Sequence, residues 1–289
     1  MDYFDLHCDT LTAAFRSRQS LQNNTLQIDL LRARCFDRYA QFFAVFVPDD
    51  MPEQHRWEYT EALLQQARQA AEKHDKKGLF RLLCAIENAA AIGGDLQRLS
   101  LCADLGVKYI TITWNGSNLW GNGCCTSCEK GLTALGKQGV SQMNRLGIFP
   151  DVSHLNQAGF WDVLDSAEGA VLATHTACRA LCDHQRNLTD EQITALAQSG
   201  GLIGLTLYPP HLGGDDFETA ERHLVHLWEK AGEEHVAIGA DLDGIPKPAG
   251  GKDILVIPRF YRYLCRKNYE ERLLKRLFFG NCNDFFKSL

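Results

Sequence analysis

The chain has 289 residues, and its 30 Lys and Arg side chains against 36 Asp and Glu give a formal net charge of −6. This acidic balance argues against a nucleic-acid binder, which is usually basic. Hydrophobic residues make up 45% and charged residues 23%, so the chain can bury a sizeable core and is not disordered. No stretch approaches the roughly 18 consecutive apolar residues of a membrane-spanning helix, so we expect no membrane partner.

The N-terminal segment and the cysteines indicate the compartment. Met1–Thr10 has acids where a signal peptide carries positive charge, and no apolar region follows it. The 11 cysteines are spread irregularly, which favours reduced thiols over a disulfide framework. Both features predict a cytoplasmic protein. Cys124, Cys125 and Cys128 have no second C-x-x-C motif to complete a zinc site, so we interpret them as thiols of a loop.

Short β-rich runs alternate with stretches of helical length, a pattern typical of strand-helix units around a parallel sheet. Several runs are almost continuously apolar, as expected of strands covered on both faces. The eight predicted strands are Tyr3–Asp9, Ala40–Pro48, Leu79–Glu87, Val107–Trp114, Ile148–His154, Ala170–Thr176, Leu202–Tyr208 and Val236–Asp241.

The helical stretches lie between these strands and at the end of the chain. They are Pro52–His74, Ala89–Leu105, Thr133–Leu146, Ala158–Ser166, Thr189–Ser199, Phe217–Ala231, Ile257–Lys267 and Glu270–Phe279. No Ser- or Pro-rich linker divides the chain. We therefore predict one α/β domain over residues 1–289, a (β/α)8 TIM barrel of the metal-dependent hydrolase type with C-terminal helices. A doubly wound open sheet is the structural alternative.

Five of the eight apolar runs have His, Asp or Glu as their last or next-to-last residue. In a (β/α)8 barrel the carboxyl ends of the strands converge on one mouth, where active sites lie. The residues concerned are His7, Asp9, Glu87, His154, His175 and Asp241. Three histidines and three carboxylates are the ligand types of a metal site, so we predict a metal centre at this mouth.

Each of these residues also has a purely structural explanation. An ion pair at a strand end could explain Glu87, and a turn cap could explain Asp241. His154 and His175 could each be a hydrogen-bonded core imidazole. Six ligand-type groups at one end of the sheet favour a shared site, and they exceed the three protein ligands of one catalytic zinc. Two metals about 3.5 to 4 Å apart could hold a bridging hydroxide and polarise a carbonyl for hydrolysis.

Ordered motifs along nearly the whole chain also carry a family resemblance. They are D-L-H-C-D-T at 5–10, A-I-E-N-A at 85–89, Y-I-T-I-T-W-N-G at 109–116, G-L-T-A-L-G at 131–136, M-N-R-L-G-I-F-P-D-V-S-H-L at 143–155, T-H-T-A-C-R-A-L at 174–181, R-N-L-T-D-E-Q-I at 186–193 and G-A-D-L-D-G at 239–244. In these motifs the chain resembles the membrane (renal-type) dipeptidases of the amidohydrolase superfamily, in their soluble bacterial form.

The resemblance implies a dipeptidase with two Zn²⁺ per chain, in which a metal-bridging hydroxide attacks the peptide bond. By analogy, His7 and Asp9 hold one zinc, and His154 and His175 hold the other. Glu87 bridges the two ions. The substrates implied are short dipeptides, including those with a C-terminal D-residue. Manganese or iron would also fit imidazole and carboxylate ligands.

Three further residues match functional positions of the family. Asp241 matches an acid that accepts the proton of the attacking water and passes it to the departing amine. Arg186 matches the arginine that binds the C-terminal carboxylate of the dipeptide, a role that its fork of donors suits. Tyr208 matches a tyrosine of the substrate pocket. A surface arginine and a packed aromatic are the structural alternatives for Arg186 and Tyr208.

One position departs from the vertebrate members of the family. Their fourth-strand motif carries a histidine that is thought to stabilise the oxyanion, and Trp114 stands at that place here. The resemblance to the bacterial members extends to this Trp-Asn pair. The oxyanion donor is then either the metal pair or Asn115, and Trp114 either shapes the substrate pocket or packs.

Two other functions remain as alternatives at this stage. One is a related amidohydrolase that acts on another amide, ester or lactone, such as an N-acyl amino acid. The other is a metal-stabilised binding scaffold without turnover, against which Asp241 argues because a scaffold needs no proton-shuttling acid. The predicted partner is a small dipeptide substrate. A homodimer is the expected assembly, since twofold dimers are the commonest oligomers.

Overall fold

A computed structural model describes residues 1–75 and 79–287. The strands are β1 (Tyr3–Cys8), β2 (Tyr39–Phe46), β3 (Phe80–Glu87), β4 (Val107–Thr111), β5 (Phe149–Asp151), β6 (Ala173–Thr176), β7 (Ile203–Leu205) and β8 (Val236–Ile238). They form one parallel sheet in the order β5-β4-β3-β2-β1-β8-β7-β6. All eight predicted strands are confirmed. The structure ends several of them two or three residues earlier, so polar residues predicted at strand ends lie in the following loops.

The two edges of this sheet meet between β5 and β6. Asp151 forms a parallel bridge with Leu172. The Leu172 N–H donates to the carbonyl oxygen of Pro150 at 2.9 Å, and the Val152 N–H donates to the carbonyl oxygen of Leu172 at 2.8 Å. The sheet is therefore a nearly closed barrel, joined at this seam. The predicted (β/α)8 fold is confirmed, and the open doubly wound sheet is not observed.

Helices pack around the barrel. They are α1 (Thr10–Ser17), α2 (Glu53–His74), α3 (Arg98–Asp104), α4 (Ala134–Arg145), α5 (Gln157–Ser166), α6 (Asp190–Gln198), α7 (Pro209–Leu212), α8 (Phe217–Ala231), α9 (Val256–Arg266), α10 (Glu271–Lys275) and α11 (Asn281–Phe285). The sequence pattern did not predict α1 or α7, which follow β1 and β7. Among the described residues, no helix combines the length and apolar character needed to cross a bilayer.

Two predicted helices differ from the structure. The continuous helix Ala89–Leu105 was wrong, because only a 3-10 turn at Ala89–Ala91 and the later α3 are helical. Gly93 between them has a φ of 61°, in the left-handed region that ends a helix. The predicted helix Glu270–Phe279 is correct over α10, beyond which a wider π turn at Arg276–Gly280 leads directly into α11.

Aromatic side chains close the barrel at the end where the strands begin. The ring centroid of Phe286, just after α11, lies 6.0 Å from that of Phe4 and 4.8 Å from that of Phe42. Phe149, the first residue of β5, lies 5.9 Å from Phe286. Burying each such ring contributes about 2 to 3 kcal/mol. This apolar plug leaves the opposite end, at the carboxyl ends of the strands, for polar groups.

Two glycines make room for an irregularity in β6. The register of β6 against β7 shifts between Ala173 and Thr176. A Cβ at Gly204 would lie 1.9 Å from the carbonyl oxygen of Thr174, and a Cβ at Gly239 would lie 1.7 Å from the same atom. Neither distance is sterically allowed, so β7 and the end of β8 approach β6 only because both positions lack a side chain.

We expect Gly239→Ala to lower the free energy of unfolding by about 3 kcal/mol, because the added methyl group overpacks the barrel interior. Urea denaturation followed by circular dichroism measures the change. Gly94→Ala is the control, since a Cβ there meets no atom within 4 Å. We expect the control to change stability by less than about 0.5 kcal/mol. Equal stability of the two variants would contradict this account of the packing.

Candidate metal centre

Six ionisable side chains converge at the carboxyl ends of the barrel strands. They are His7 on β1, Asp9 directly after it, Glu87 at the end of β3, His154 beyond β5, His175 on β6 and Asp241 beyond β8. Each of these residues is at most 8% exposed. The structure thus brings together all six residues that the sequence identified as candidate ligands or catalytic groups.

The two carboxylate oxygens of Glu87 face different histidines. Oε1 lies 2.9 Å from Nε2 of His154 and 3.7 Å from Nε2 of His175. The two Nε2 atoms of this histidine pair are 3.0 Å apart. Oε2 lies 3.8 Å from Nε2 of His7. Glu87 therefore stands between His7 on one side and the His154–His175 pair on the other.

A second group of potential ligands surrounds His7. Its Nε2 lies 3.5 Å from Oδ2 of Asp9 and 4.0 Å from Oδ1 of Asp241. One ligand atom from each of these three residues fits within 4.8 Å of the others, and the same holds for His7, Glu87 and His175. These separations are those of groups that can share a cation.

Hydrogen bonds at Nδ1 orient His7 and His154. The hydroxyl group of Tyr109 donates to the carbonyl oxygen of Leu6 at 2.7 Å, so it accepts from Nδ1 of His7 at 3.0 Å. Oδ1 of Asn115 accepts from Nδ1 of His154 at 2.8 Å. With the proton on Nδ1, the lone pair of Nε2 in both rings is directed into the site.

The third histidine is oriented through a buried carboxylate. The Thr174 hydroxyl donates to Oδ2 of Asp151 at 2.8 Å and accepts from Nδ1 of His175 at 2.9 Å. Asp151 also accepts bonds from Thr111, from the Thr174 backbone and from both donors of Ser153. All three site histidines therefore present Nε2. These partners do not stand out in the sequence, because they are ordinary strand residues whose pairing depends on the closed barrel.

The electrostatics of the site favour a bound cation. Burial raises the pKa of Glu87 well above its ordinary value, and the negative charge of Asp9 adds to the effect. Burial likewise raises the pKa of Asp241 to about 7. Burial lowers the pKa of His7, but the carboxylates of Asp9, Glu87 and Asp241 outweigh it and raise that pKa to about 10. His7 is therefore protonated when no cation is bound, and a cation that binds at Nε2 displaces that proton. Clustered buried carboxylates need a positive partner, which a divalent cation supplies.

Burial lowers the pKa values of His154 and His175 well below the ordinary range, and the charges of Arg186 and His7 lower them further. Both imidazoles are therefore neutral, the form in which histidine binds a metal.

Two unsatisfied atoms provide a test of whether the residues fit a metal. Nε2 of His7 and Oδ1 of Asp9 are buried without a hydrogen-bond partner. Buried polar atoms without partners are costly, and metal coordination would satisfy both. A Cβ at Gly244 would lie 2.3 Å from carboxylate oxygens of Asp9 and Asp241. The glycine thus leaves space beside these ligand atoms, and the residues present fit a metal centre.

Two of the six residues have unusual backbone conformations. His154 has a φ of 69° and Asp241 a φ of 61°, in the left-handed region that non-glycine residues rarely adopt. Such positions cost of order 1 to 3 kcal/mol and occur preferentially at functional sites. They turn both side chains from the strand ends toward the mouth.

A cavity of about 200 Å³ opens onto the centre. Glu87, His154 and Asp241 contribute to its floor, and Trp114 contributes to its wall. The Trp114 ring lies 5.0 Å from that of Phe46 in an edge-to-face arrangement. The sequence identified Trp114 but missed the α1 residues of the wall, because it did not predict α1. It also missed Phe46, because nothing distinguishes this residue from the other aromatic residues of β2.

Two further sequence candidates, Arg186 and Tyr208, lie outside the lining of this cavity. Arg186 is 7% exposed and Nη2 of its guanidinium group has no hydrogen-bond partner. Tyr208 precedes α7, and its ring lies 4.8 Å from that of His211. Neither residue lines the cavity around Trp114, although the positive charge of Arg186 acts on Glu87 and Asp241.

The loop cysteines form no ligand cluster in the described part of the chain. Sγ of Cys124 and Sγ of Cys125 are 3.9 Å apart, and all three loop thiols are free. The groups able to hold an ion among the described residues contain no cysteine. The geometry is that of a loop with free thiols.

Comparisons with known proteins identify the family of the chain. A model of the membrane dipeptidase family, peptidase family M19, matches residues 1–288. An uncharacterized protein in the pqqA 5′ region of Klebsiella pneumoniae is 34% identical over 216 residues, which cover 70% of this chain and 80% of that protein.

Solved structures match over almost the full length. A metallopeptidase from Rhodobacter sphaeroides, liganded with a phosphinate mimic of the dipeptide L-Ala-D-Ala, has a TM-score of 0.88 at 26% identity, covering 99% of both chains. The dipeptidase AC, a metallopeptidase of family M19, has a TM-score of 0.85 at 28% identity, covering 97% of this chain and 96% of that one. The chain belongs to the membrane dipeptidase family, peptidase family M19, and is a metal-dependent hydrolase of the dipeptidase class.

Proposed function

We propose that this chain is a binuclear zinc dipeptidase whose substrates include dipeptides with a C-terminal D-residue. The observation that carries the proposal is the position of Glu87, whose two oxygens face His7 and the His154–His175 pair. A carboxylate between two ligand groups is suited to bridge two cations. The L-Ala-D-Ala mimic bound to the Rhodobacter sphaeroides structure supports the substrate class.

In this proposal His7 and Asp9 hold one ion, His154 and His175 hold the other, and Glu87 contacts both. Zinc suits these imidazole and carboxylate ligands, and manganese or iron fit the same groups. When bound, the two ions supply the Lewis acidity that polarises the scissile carbonyl and lowers the pKa of the attacking water to about 7.

Asp241 is the proposed proton carrier. It borders the cavity beside His7, with Oδ1 4.0 Å from Nε2. Its carboxylate accepts one proton from the attacking water and then donates it to the nitrogen of the departing amine. The carbonyl carbon gains the water oxygen and loses the amine, so the products are two amino acids.

Arg186 is the residue proposed to bind the C-terminal carboxylate of the dipeptide. A buried guanidinium group with an unpaired Nη2 is costly unless a ligand supplies the partner. A carboxylate matches the fork of donors that arginine presents.

Tyr208 and Trp114 are the proposed walls of the substrate pocket. Asn115 contributes through His154, which it orients. The single domain, the homodimer and the cytoplasmic location remain predictions.

Glu87→Gln is expected to leave fewer than two divalent ions per chain and to lower kcat for L-Ala-D-Ala by about 100-fold or more, because a neutral amide bridges two cations poorly. Elemental analysis after dialysis and initial rates measure the two effects. Glu58→Gln, an exposed acid on α2, is the control and should retain both ions. Chelation should abolish cleavage by the unmodified protein. Two retained ions with full activity in Glu87→Gln would refute the bridging role.

Arg186→Lys is expected to lower kcat/KM for dipeptides by about 100-fold, because the bidentate contact with the carboxylate is lost. The matching dipeptide amides lack that carboxylate, so the substitution should change their cleavage little. Arg145→Lys, on the exposed surface of α4, is the control. A loss of equal size on dipeptides and amides would exclude carboxylate binding by Arg186. Cleavage of N-acyl amino acids without cleavage of dipeptides would indicate the alternative amidohydrolase function.

Thr174→Val is expected to weaken divalent-ion binding about 10- to 100-fold, because His175 loses the partner that fixes its tautomer. Competition with a chromogenic chelator measures the affinity, and urea denaturation reports whether the variant is folded. Thr60→Val is a matched control, since this buried threonine on α2 donates only to a helix carbonyl. If both variants bind metal as the unmodified protein does, the hydroxyl of Thr174 does not position His175.

A further inference from the structure

The rim of the cavity carries a cation that the proposed reaction does not use. Thr12, Ala13 and Arg16 of α1 line the cavity together, as residues on one face of a helix do. The Arg16 side chain is exposed, and its guanidinium carbon lies 5.6 Å from the ring centroid of Phe46. Stacking on an aromatic ring restrains the guanidinium group, which lowers the entropy cost of binding a ligand there.

The helix that carries this arginine is anchored to the barrel. The hydroxyl group of Thr12, a residue only 3% exposed, accepts from the Phe46 backbone N–H at 3.0 Å. The same hydroxyl group donates to the carbonyl oxygen of Ala44 at 3.4 Å. Arg16 therefore has a defined position above the end of β2.

Arg16 and Arg186 stand on opposite sides of the mouth. In the ring of eight strands, β2 is four strands away from β6 in either direction. Arg186 follows β6, and the metal centre lies between the two arginines. A dipeptide with its C-terminal carboxylate at Arg186 and its scissile carbonyl at the centre extends its N-terminal residue toward β2 and Arg16.

The charges of the site favour an anion at this position. In the proposed centre the four positive charges of two divalent cations offset the carboxylates of Asp9, Glu87 and Asp241 and the bridging hydroxide, so the centre does not repel an anion. Asp243 also lines the cavity, but its carboxylate accepts bonds from the Thr10 hydroxyl and from two backbone N–H groups. Arg16 adds a further positive charge at the rim.

We propose that Arg16 selects dipeptides whose N-terminal residue has a carboxylate side chain, namely those that begin with L-Asp or L-Glu. This inference rests on the proposed dipeptidase function and names the substrate class of the same site. The side chain of the N-terminal residue lies along Phe46 and Trp114, and its carboxylate pairs with the guanidinium group of Arg16.

The test compares L-Glu-L-Ala with L-Gln-L-Ala, which have nearly the same shape and differ by one negative charge. We expect kcat/KM of the unmodified holoenzyme to favour L-Glu-L-Ala by about tenfold, mainly through KM. Arg16→Gln should bring this ratio close to one. Arg18→Gln, at the exposed end of the same helix and outside the cavity, is the matched control and should keep the ratio. Unfolding midpoints verify that the variants are folded.

The outcomes separate this inference from the proposed function. A ratio near one in the unmodified enzyme, or an unchanged ratio in Arg16→Gln, overturns the role of Arg16 while cleavage of L-Ala-L-Ala still supports a dipeptidase. An equal loss on both substrates in Arg16→Gln also overturns it, because that result indicates general steering of anionic ligands. Failure of the metal-loaded protein to cleave any dipeptide overturns both proposals.

Discussion

The buried carboxylate of Asp151 links the closure of the barrel to the proposed metal centre. It accepts five hydrogen bonds from Thr111, Ser153 and Thr174, and its backbone forms the bridge between β5 and β6. Through Thr174 it fixes the ring of His175, and it lies three residues before His154. Because the network is fully buried, losing one donor would weaken the hydrogen bonding that stabilises the carboxylate in a low-dielectric interior. The geometry of both histidines therefore depends on the seam at which the sheet closes.

A second buried acid plays a comparable part on the other side of the centre. Oδ1 of Asp5 accepts from the backbone N–H of His7 at 3.0 Å and of Ala240 at 3.1 Å. These two bonds join β1 to Ala240, the residue before Asp241, whose backbone is left-handed. The strained turn persists because neighbouring bonds hold it, as strained positions at functional sites require. Burial raises the pKa of Asp5 to about 6, and the two N–H donors oppose that shift.

The sequence predicted the strands from their apolar runs, and it predicted the clustered residues for a separate physical reason. A His, Asp or Glu at the end of an apolar run is costly unless it has a function or a partner, so such residues stand out in a single sequence. The partners of the histidines do not stand out, because Tyr109 and Thr174 are typical strand residues. Helix α1 was missed because it has only eight residues and begins almost directly after β1. The break in the predicted helix at Gly93 depends on a positive φ, an angle that glycine permits but does not require.

One part of the site is fixed by the barrel, and another part can vary. The proposed ligands are buried on strands or immediately after them, so a change there disturbs the packing and the charge balance of the interior. Arg16 is exposed on a helix of eight residues, where substitutions rarely change stability by more than about 0.5 kcal/mol. A change at this rim can therefore alter which substrates bind without moving the proposed ligands. Residues at the strand ends carry the proposed chemistry, and residues in the segments that follow the strands select the substrate.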